Sequence, residues 1–151
     1  MNYLSNNMFS SFFSKNNFHK IGFEDMKIIL REPSSNKYCI INTLLINFQD
    51  ILIPKTIRFI DEEQTINDYI TNYETKQVSI IVYGKNSCDN TAEKKCLQLC
   101  GLGFTKVFLY VGGLFEWILL QDIYGVDEFP TTSKVVDILK YRQPPEPKLF
   151  W

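Results

Sequence analysis

The sequence predicts a single α/β domain, a central and mainly parallel sheet flanked by helices on both faces, and three observations carry that expectation. First, "VSIIVYG" (78–84) and "KVFLYVGG" (106–113) are short and almost wholly apolar, as strands covered on both faces must be. Second, each run leads into a segment with helical spacing: "NTAEKKCLQLCGLG", with Ala92, Cys96, Leu99 and Cys100 on one face and a glycine stop, and then "LFEWILLQDIYG". Third, the chain has 151 residues, 45% of them apolar, enough to build one core around an alternation of strand and helix.

Upstream, Met26–Leu30 reads as a short helix or strand, 33–36 as a turn at a proline, and Lys37–Ile41 as the start of a buried strand. "TIRFID" reads as another strand, after which Asp61 caps a helix through about Tyr73, with Ile66, Tyr69, Ile70 and Tyr73 on one face. Downstream, a turn at Pro130–Thr132 leads to a last predicted helix in "SKVVDILKY", capped by Thr132 or Ser133. The expected organisation is an N-terminal arm over 1–24, a domain over 25–142 and a proline-rich tail over 143–151. The arm is rich in Ser, Asn and Phe without a period, and its His19 reads as solvated. In the tail, Leu149, Phe150 and Trp151 are costly to leave in water, so they fold back on the core or dock in a partner's groove.

Charge narrows the function. Sixteen basic and seventeen acidic residues leave a net charge of −1, so no bulk field draws the chain to nucleic acid or to an anionic membrane. The opening stretch has no basic start or apolar core and does not read as an export signal, and no run approaches a membrane span. Four cysteines without CxxC spacing suggest a reducing, cytoplasmic setting with neither a disulfide framework nor a metal site. Cys88, Cys96 and Cys100 would need a fourth ligand to hold zinc, and Cys96 and Cys100 are more simply core residues. Abundant lysine, asparagine and isoleucine suggest an AT-rich genome, of a large DNA virus or a protist. In a virus the protein would be a virion component or act in the host cytoplasm.

The chemistry, if any, belongs in "YGKNSCDNT", where a loop leaves a strand and enters a helix N-terminus whose free N–H groups favour anions. From here the chain resembles the rhodanese-like domains. The resemblance runs over "IVYG" with its polar loop, "GLGFTKVFLYVGG" with a glycine-phenylalanine step before a strand, and the "GG" followed by "LFEW". It extends upstream through "YCIINTLLINFQDILIPKTIRF" with its Ile53–Pro54 element, and covers roughly residues 25–125. The resemblance implies an active-loop cradle made of Gly84, Lys85, Asn86, Ser87, Cys88, Asp89 and Asn90.

It also implies a defect. Rhodaneses carry a persulfide on a cysteine directly after the central strand, where converging amides favour the thiolate. The resemblance places Gly84 at that position, Asp89 near the loop's end where a cation is usual, and Asn42 where the family has an aspartate. The expected function is therefore a catalytically inactive rhodanese-like module that binds another protein through its aromatic termini or the cradle rim, with no cofactor. The alternative is a sulfurtransferase with a relocated nucleophile, Cys88, which lies near the predicted helix N-terminus with Lys85 close by. A phosphatase reading is weaker: six residues after Cys88 stands Lys94, which lacks the bidentate fork of arginine.

Overall fold

Alternation along three apolar runs decides the architecture. In β2 (Tyr38–Asn42), β3 (Ser79–Tyr83) and β4 (Lys106–Tyr110), successive side chains point to opposite faces, and nearly all are apolar on both. Cys39, Ile41, Ile80, Val82, Val107 and Leu109 enter one core, while Ile40, Ile81, Tyr83 and Tyr110 enter the other. The computed structural model describes residues 18–33 and 37–144. Within them the strands form one all-parallel sheet in the order β1-β4-β3-β2, in which β1 (His19–Ile21) pairs with the outer edge of β4.

Four α-helices among the described residues cover the sheet, two on each face. The first core packs against α2 (Phe59–Thr71) and α3 (Thr91–Gly101) through Ile66, Ala92, Cys96 and Leu99. The second packs against α1 (Phe23–Arg31) and α4 (Gly113–Tyr124) through Met26, Leu114, Trp117 and Ile118. Met26–Leu30 is thus helical: acidic Glu24 and Asp25 sit in the first turn and Arg31 in the last, matching the helix dipole. No helix among the described residues is long and apolar enough to cross a membrane.

Strand β1 lies in the stretch that the sequence reading assigned to the N-terminal arm. Phe18 is buried in the first core, and His19 is an exposed residue of the edge strand whose ring lies 5.9 Å from that of Phe108. The rest of the arm (1–17), most of the turn expected at 33–36, and the tail residues Leu149, Phe150 and Trp151 lie outside the described residues.

Two expected elements differ. "TIRFID" contributes only one bridge, Thr56 to Ile40, before α2 begins at Phe59. Asp61 therefore lies inside the first turn, where its carboxylate accepts from Arg58 Nε at 2.6 Å, rather than at the cap. The helix predicted in "SKVVDILKY" is instead extended chain followed by a 3-10 turn, Ile138–Tyr141, with Asp137 accepting from Leu139 N. Long-range bonds override the local pattern. Thr132 exchanges two hydrogen bonds with Leu52, and Ser133 Oγ donates to the Asp50 carbonyl, so both proposed caps are committed to a neighbouring segment. The segment after α4, "GVDEFPTT" (125–132), folds back onto that helix. There Phe129 is buried against Trp117 with ring centroids 5.0 Å apart, and Gln121 and Trp117 donate to the Phe129 and Pro130 carbonyls.

Tyr141 ends the 3-10 turn fully buried, and its hydroxyl makes no hydrogen bond among the described residues. Burial raises its pKa, with the Asp50 and Asp137 charges acting the same way, so the hydroxyl remains a neutral donor without an acceptor. An unmade buried hydrogen bond is a cost. Tyr141→Phe is expected to stabilise the fold by about 1 kcal/mol, read as a higher urea midpoint at unchanged slope; a loss of stability would show that the hydroxyl is satisfied.

Candidate functional site

The loop that leaves β3 is built by three neighbours. From behind, the first turn of α4 donates Leu114 N to the Gly84 carbonyl and Phe115 N to the Lys85 carbonyl, both at 2.9 Å. This approach requires the glycine pair: Gly113 has φ +69°, and a Cβ there would stand 2.9 Å from both Asn86 N and the Gly84 carbonyl oxygen. From one side comes the 3-10 turn, whose Tyr141 carbonyl accepts from Asn86 Nδ2 at 3.1 Å. From the other comes the end of β2, where Thr43 N donates to the Tyr83 carbonyl and Thr43 Oγ1 lies 2.8 Å from Thr91 Oγ1.

Inside this frame the loop bonds to itself. Buried Asn86 accepts from Cys88 N on its side chain and from Asp89 N on its carbonyl. Asp89 then turns inward. Its Oδ2 accepts from Lys85 N at 3.1 Å, and its Oδ1 accepts from Thr91 N at 3.0 Å and Thr91 Oγ1 at 2.7 Å. Gly84, at the floor, is where this matters. A Cβ built on it would meet Asp89 Oδ2 at 3.0 Å and Ala92 Cβ at 3.3 Å, so a side chain leaving position 84 would run into a carboxylate.

The predicted site residues divide accordingly. Gly84 and Asn86 are buried, Lys85 and Asp89 half-buried, and Ser87, Cys88 and Asn90 exposed. A cavity of about 200 Å³ above Gly84 is lined by Asp89, Ser87, Cys88, Lys20 and the end of β4. On the other side of the loop opens a cleft of about 750 Å³, walled by Leu44, Leu45 and Phe48 after β2, by Lys85 and Cys88, and by Gln143. Cys88 therefore edges both spaces with an exposed side chain, whereas Cys39 and Cys96 are buried thiols whose pKa values burial pushes up to about 12. Among the described residues no three of His, Cys, Asp and Glu are grouped to hold a metal ion. Asn42 ends β2 buried, its Oδ1 accepting from Leu44 N at 3.1 Å, which fixes the start of the cleft wall.

Sequence reasoning missed Phe48, Lys140 and Gln143. Phe48 lies in a 3-10 turn, Ile46–Phe48, and its ring is met by Lys85 Nζ at 4.3 Å and Lys140 Nζ at 4.8 Å from the centroid. Gln143 Nε2 donates to Ser87 Oγ at 2.6 Å. No local pattern marks such meetings, because they join segments far apart in the chain.

The glycine pair gives a direct check. Gly113→Ala is expected to cost about 1–3 kcal/mol in denaturant unfolding, since the substitution strains the backbone and crowds the loop together. Gly101→Ala, in open space at the end of α3, is expected to be close to neutral or mildly stabilising.

No family model and no curated protein sequence matches the chain. Solved structures do. A protein from Bacillus halodurans superposes with a TM-score of 0.54 at 20% identity, over 80% of this chain and 83% of its own. The Alr3790 protein of Anabaena sp. gives 0.53 at 22% identity, over 80% of this chain and 97% of its own. A yeast protein tyrosine phosphatase of the rhodanese family, Ygr203w, gives 0.54 at 12% identity, over 81% and 96%. At these identities the likeness speaks for architecture. With its all-parallel sheet and helices on both faces, the chain folds as a rhodanese-like domain.

Proposed function

We propose that this domain is a rhodanese-fold module that transfers no sulfur and works by binding another protein. The observation that supports this most strongly is the Asp89 carboxylate beside Gly84. In a working cradle the amides are aimed at an anionic sulfur on the residue after the strand. Here that residue has no side chain, and the loop's own carboxylate takes up the Lys85 amide while presenting negative charge to any arriving anion.

The yeast neighbour is described as a protein tyrosine phosphatase. The loop from Gly84 to Asn90 has no arginine, and Lys94 lies exposed on α3, so the fork that would grip a phosphate is missing from this loop. Four free cysteines support a reducing, intracellular setting. The lysine- and asparagine-rich composition supports an AT-rich source, and in a large DNA virus the module would serve as a virion-associated component.

A second reading has one observation in its favour. Cys88 is exposed at the junction of the cleft and the smaller cavity, where a sulfur donor could reach it. A sulfurtransferase would load sulfane sulfur there.

The two readings separate in a thiosulfate:cyanide assay with intact-mass detection of persulfide, run on the wild type and on Cys88→Ser. The expected result is no turnover and no sulfur adduct in either folded protein; turnover that disappears in Cys88→Ser would replace the first reading with the second. Accessibility gives a companion prediction. At pH 8 iodoacetamide is expected to alkylate Cys88 first, because Cys39 and Cys96 are buried and remain protonated well below their raised pKa values. A first adduct mapping to Cys39 or Cys96 by peptide mass would contradict the burial described here.

A further inference from the structure

The described residues end at Pro144, and they end at the cleft beside the loop. One wall of that cleft is the segment after β2, where Leu45 is 71% exposed next to the half-buried ring of Phe48. A second is the loop itself, with Lys85 and Asp89, and the third is Gln143 with Pro144. The loop fixes this exit. Asn86 Nδ2 donates to the Tyr141 carbonyl at 3.1 Å, and Gln143 Nε2 donates to Ser87 Oγ at 2.6 Å, so the chain is held against the cleft up to its last described residues.

The sequence continues from there with "PEPKLFW" (145–151). Seven residues extend at most roughly 25 Å, so Leu149, Phe150 and Trp151 are tethered within reach of every wall of a cleft of about 750 Å³. These three side chains are costly to leave in water, and Leu45, which belongs to neither core, is an apolar surface without a cover. Charge fits as well: the cleft is lined by one ammonium and one carboxylate, and the segment carries one of each in Glu146 and Lys148, so closing it buries no net charge. Prolines at 144, 145 and 147 restrict the tether and lower the entropy lost when it is ordered.

The topology disfavours the other apolar segment, residues 1–17. It joins the fold at Phe18, ahead of β1 and therefore at the amino ends of the parallel strands, whereas the cleft lies beyond the carboxyl ends of β2 and β3. The groove of about 560 Å³ between α2 and α3 receives no residue of the exit segment.

We propose that residues 145–151 turn back into the cleft, with Leu149, Phe150 and Trp151 covering Leu45 and the open face of Phe48. A tether this short gives the segment an effective concentration on the order of millimolar, so anything entering the cleft must displace it. The contact concerns the cleft alone and is independent of whether Cys88 carries sulfur. To the protein-binding reading it adds a closed state that a partner at this face has to open.

The test is NMR on the full chain, wild type and Leu149→Ser/Phe150→Ser/Trp151→Ser, followed by titration of the free peptide PEPKLFW into each. Amide differences between the two proteins are expected to concentrate at 43–48 and 85–91, with strand amides unchanged, which establishes that both are folded. The peptide is expected to move those amides in the variant toward their wild-type positions and to bind the wild type about tenfold more weakly. Cross-relaxation between the Trp151 indole and the Leu45 methyls or the Phe48 ring in the wild type reads the contact without any variant. Absence of those cross-peaks, amide differences that avoid the cleft or map to the α2/α3 groove, or equal peptide binding by both proteins would each overturn the proposal. So would a wild-type mass that doubles with concentration while the cross-peaks appear only in the dimer, since the segment would then occupy the cleft of a second copy. Sulfur transfer is read separately by the persulfide assay, so failure here leaves the non-catalytic reading standing, and turnover through Cys88 leaves this contact standing.

Discussion

The carboxylate of Asp89 accepts three hydrogen bonds from its own loop, and the shape of everything around Gly84 depends on that arrangement. A short polar loop between a strand and a helix N-terminus has amide donors that must find acceptors. In this chain the acceptor is internal. Asp89 ties the first amide of the loop, at Lys85, to the first turn of α3, at Thr91, and Asn86 ties the middle of the loop to the 3-10 turn at Tyr141. The amides of Lys85 and Thr91 are thus met from within the loop. The same bonds place a negative oxygen 3.0 Å from where a Cβ at position 84 would be, which supports the proposal that the floor takes no anion.

The side chains that fill the two cores lie outside this loop. Both cores are assembled mainly from strand residues that alternate across the sheet and from helix faces, with Leu44, Ile51, Ile53, Phe104 and Phe129 added from connecting segments, and no residue of the 84–90 loop belongs to either. Trp117, Phe129 and Tyr110 stack edge to face beneath α4, on the face of the sheet that faces α1. Tyr83 reaches across to Thr56 and the Ile53 amide, pinning the segment that follows β2. A scaffold of this kind positions whatever loop it is given, so architecture and activity can part company. In this chain the rim carries the exposed Leu45 side chain and, on the Phe48 ring, the Lys85 and Lys140 ammonium groups, neither in an ion pair among the described residues.

What could be read in advance follows a physical division. The three apolar strands were legible because burial on both faces forces an apolar run, and α3 and α4 because each presents periodic apolar residues after such a run. The glycine pair at 112–113 was legible as one motif of the resemblance, although only the structure shows that Gly113 must clear Asn86 N and the Gly84 carbonyl. The helix expected over 133–141 failed for a non-local reason. Val135, Ile138 and Tyr141 do have helical spacing, but Thr132 and Ser133 bond to the 50–52 segment and hold the chain extended. The strand at "TIRFID" failed similarly, since a single bridge was all that the edge of β2 accepted. At the site, Asp89 was recognisable as an acid near the end of the loop, where the resemblance leads one to expect a cation. Its inward turn, and the meeting of Lys85 and Lys140 on Phe48, depend on contacts between segments that no local pattern encodes.

Asp89 is expected to occupy the loop's amides in solution, and amide hydrogen exchange reads this residue by residue. Lys85 and Thr91 amides are expected to be protected in the wild type and to exchange faster in Asp89→Ala, while amides of β3 and α4 keep their protection. Fast exchange at Lys85 and Thr91 in the wild type, or protection that survives in Asp89→Ala, would contradict the claim that the loop is filled by its own carboxylate.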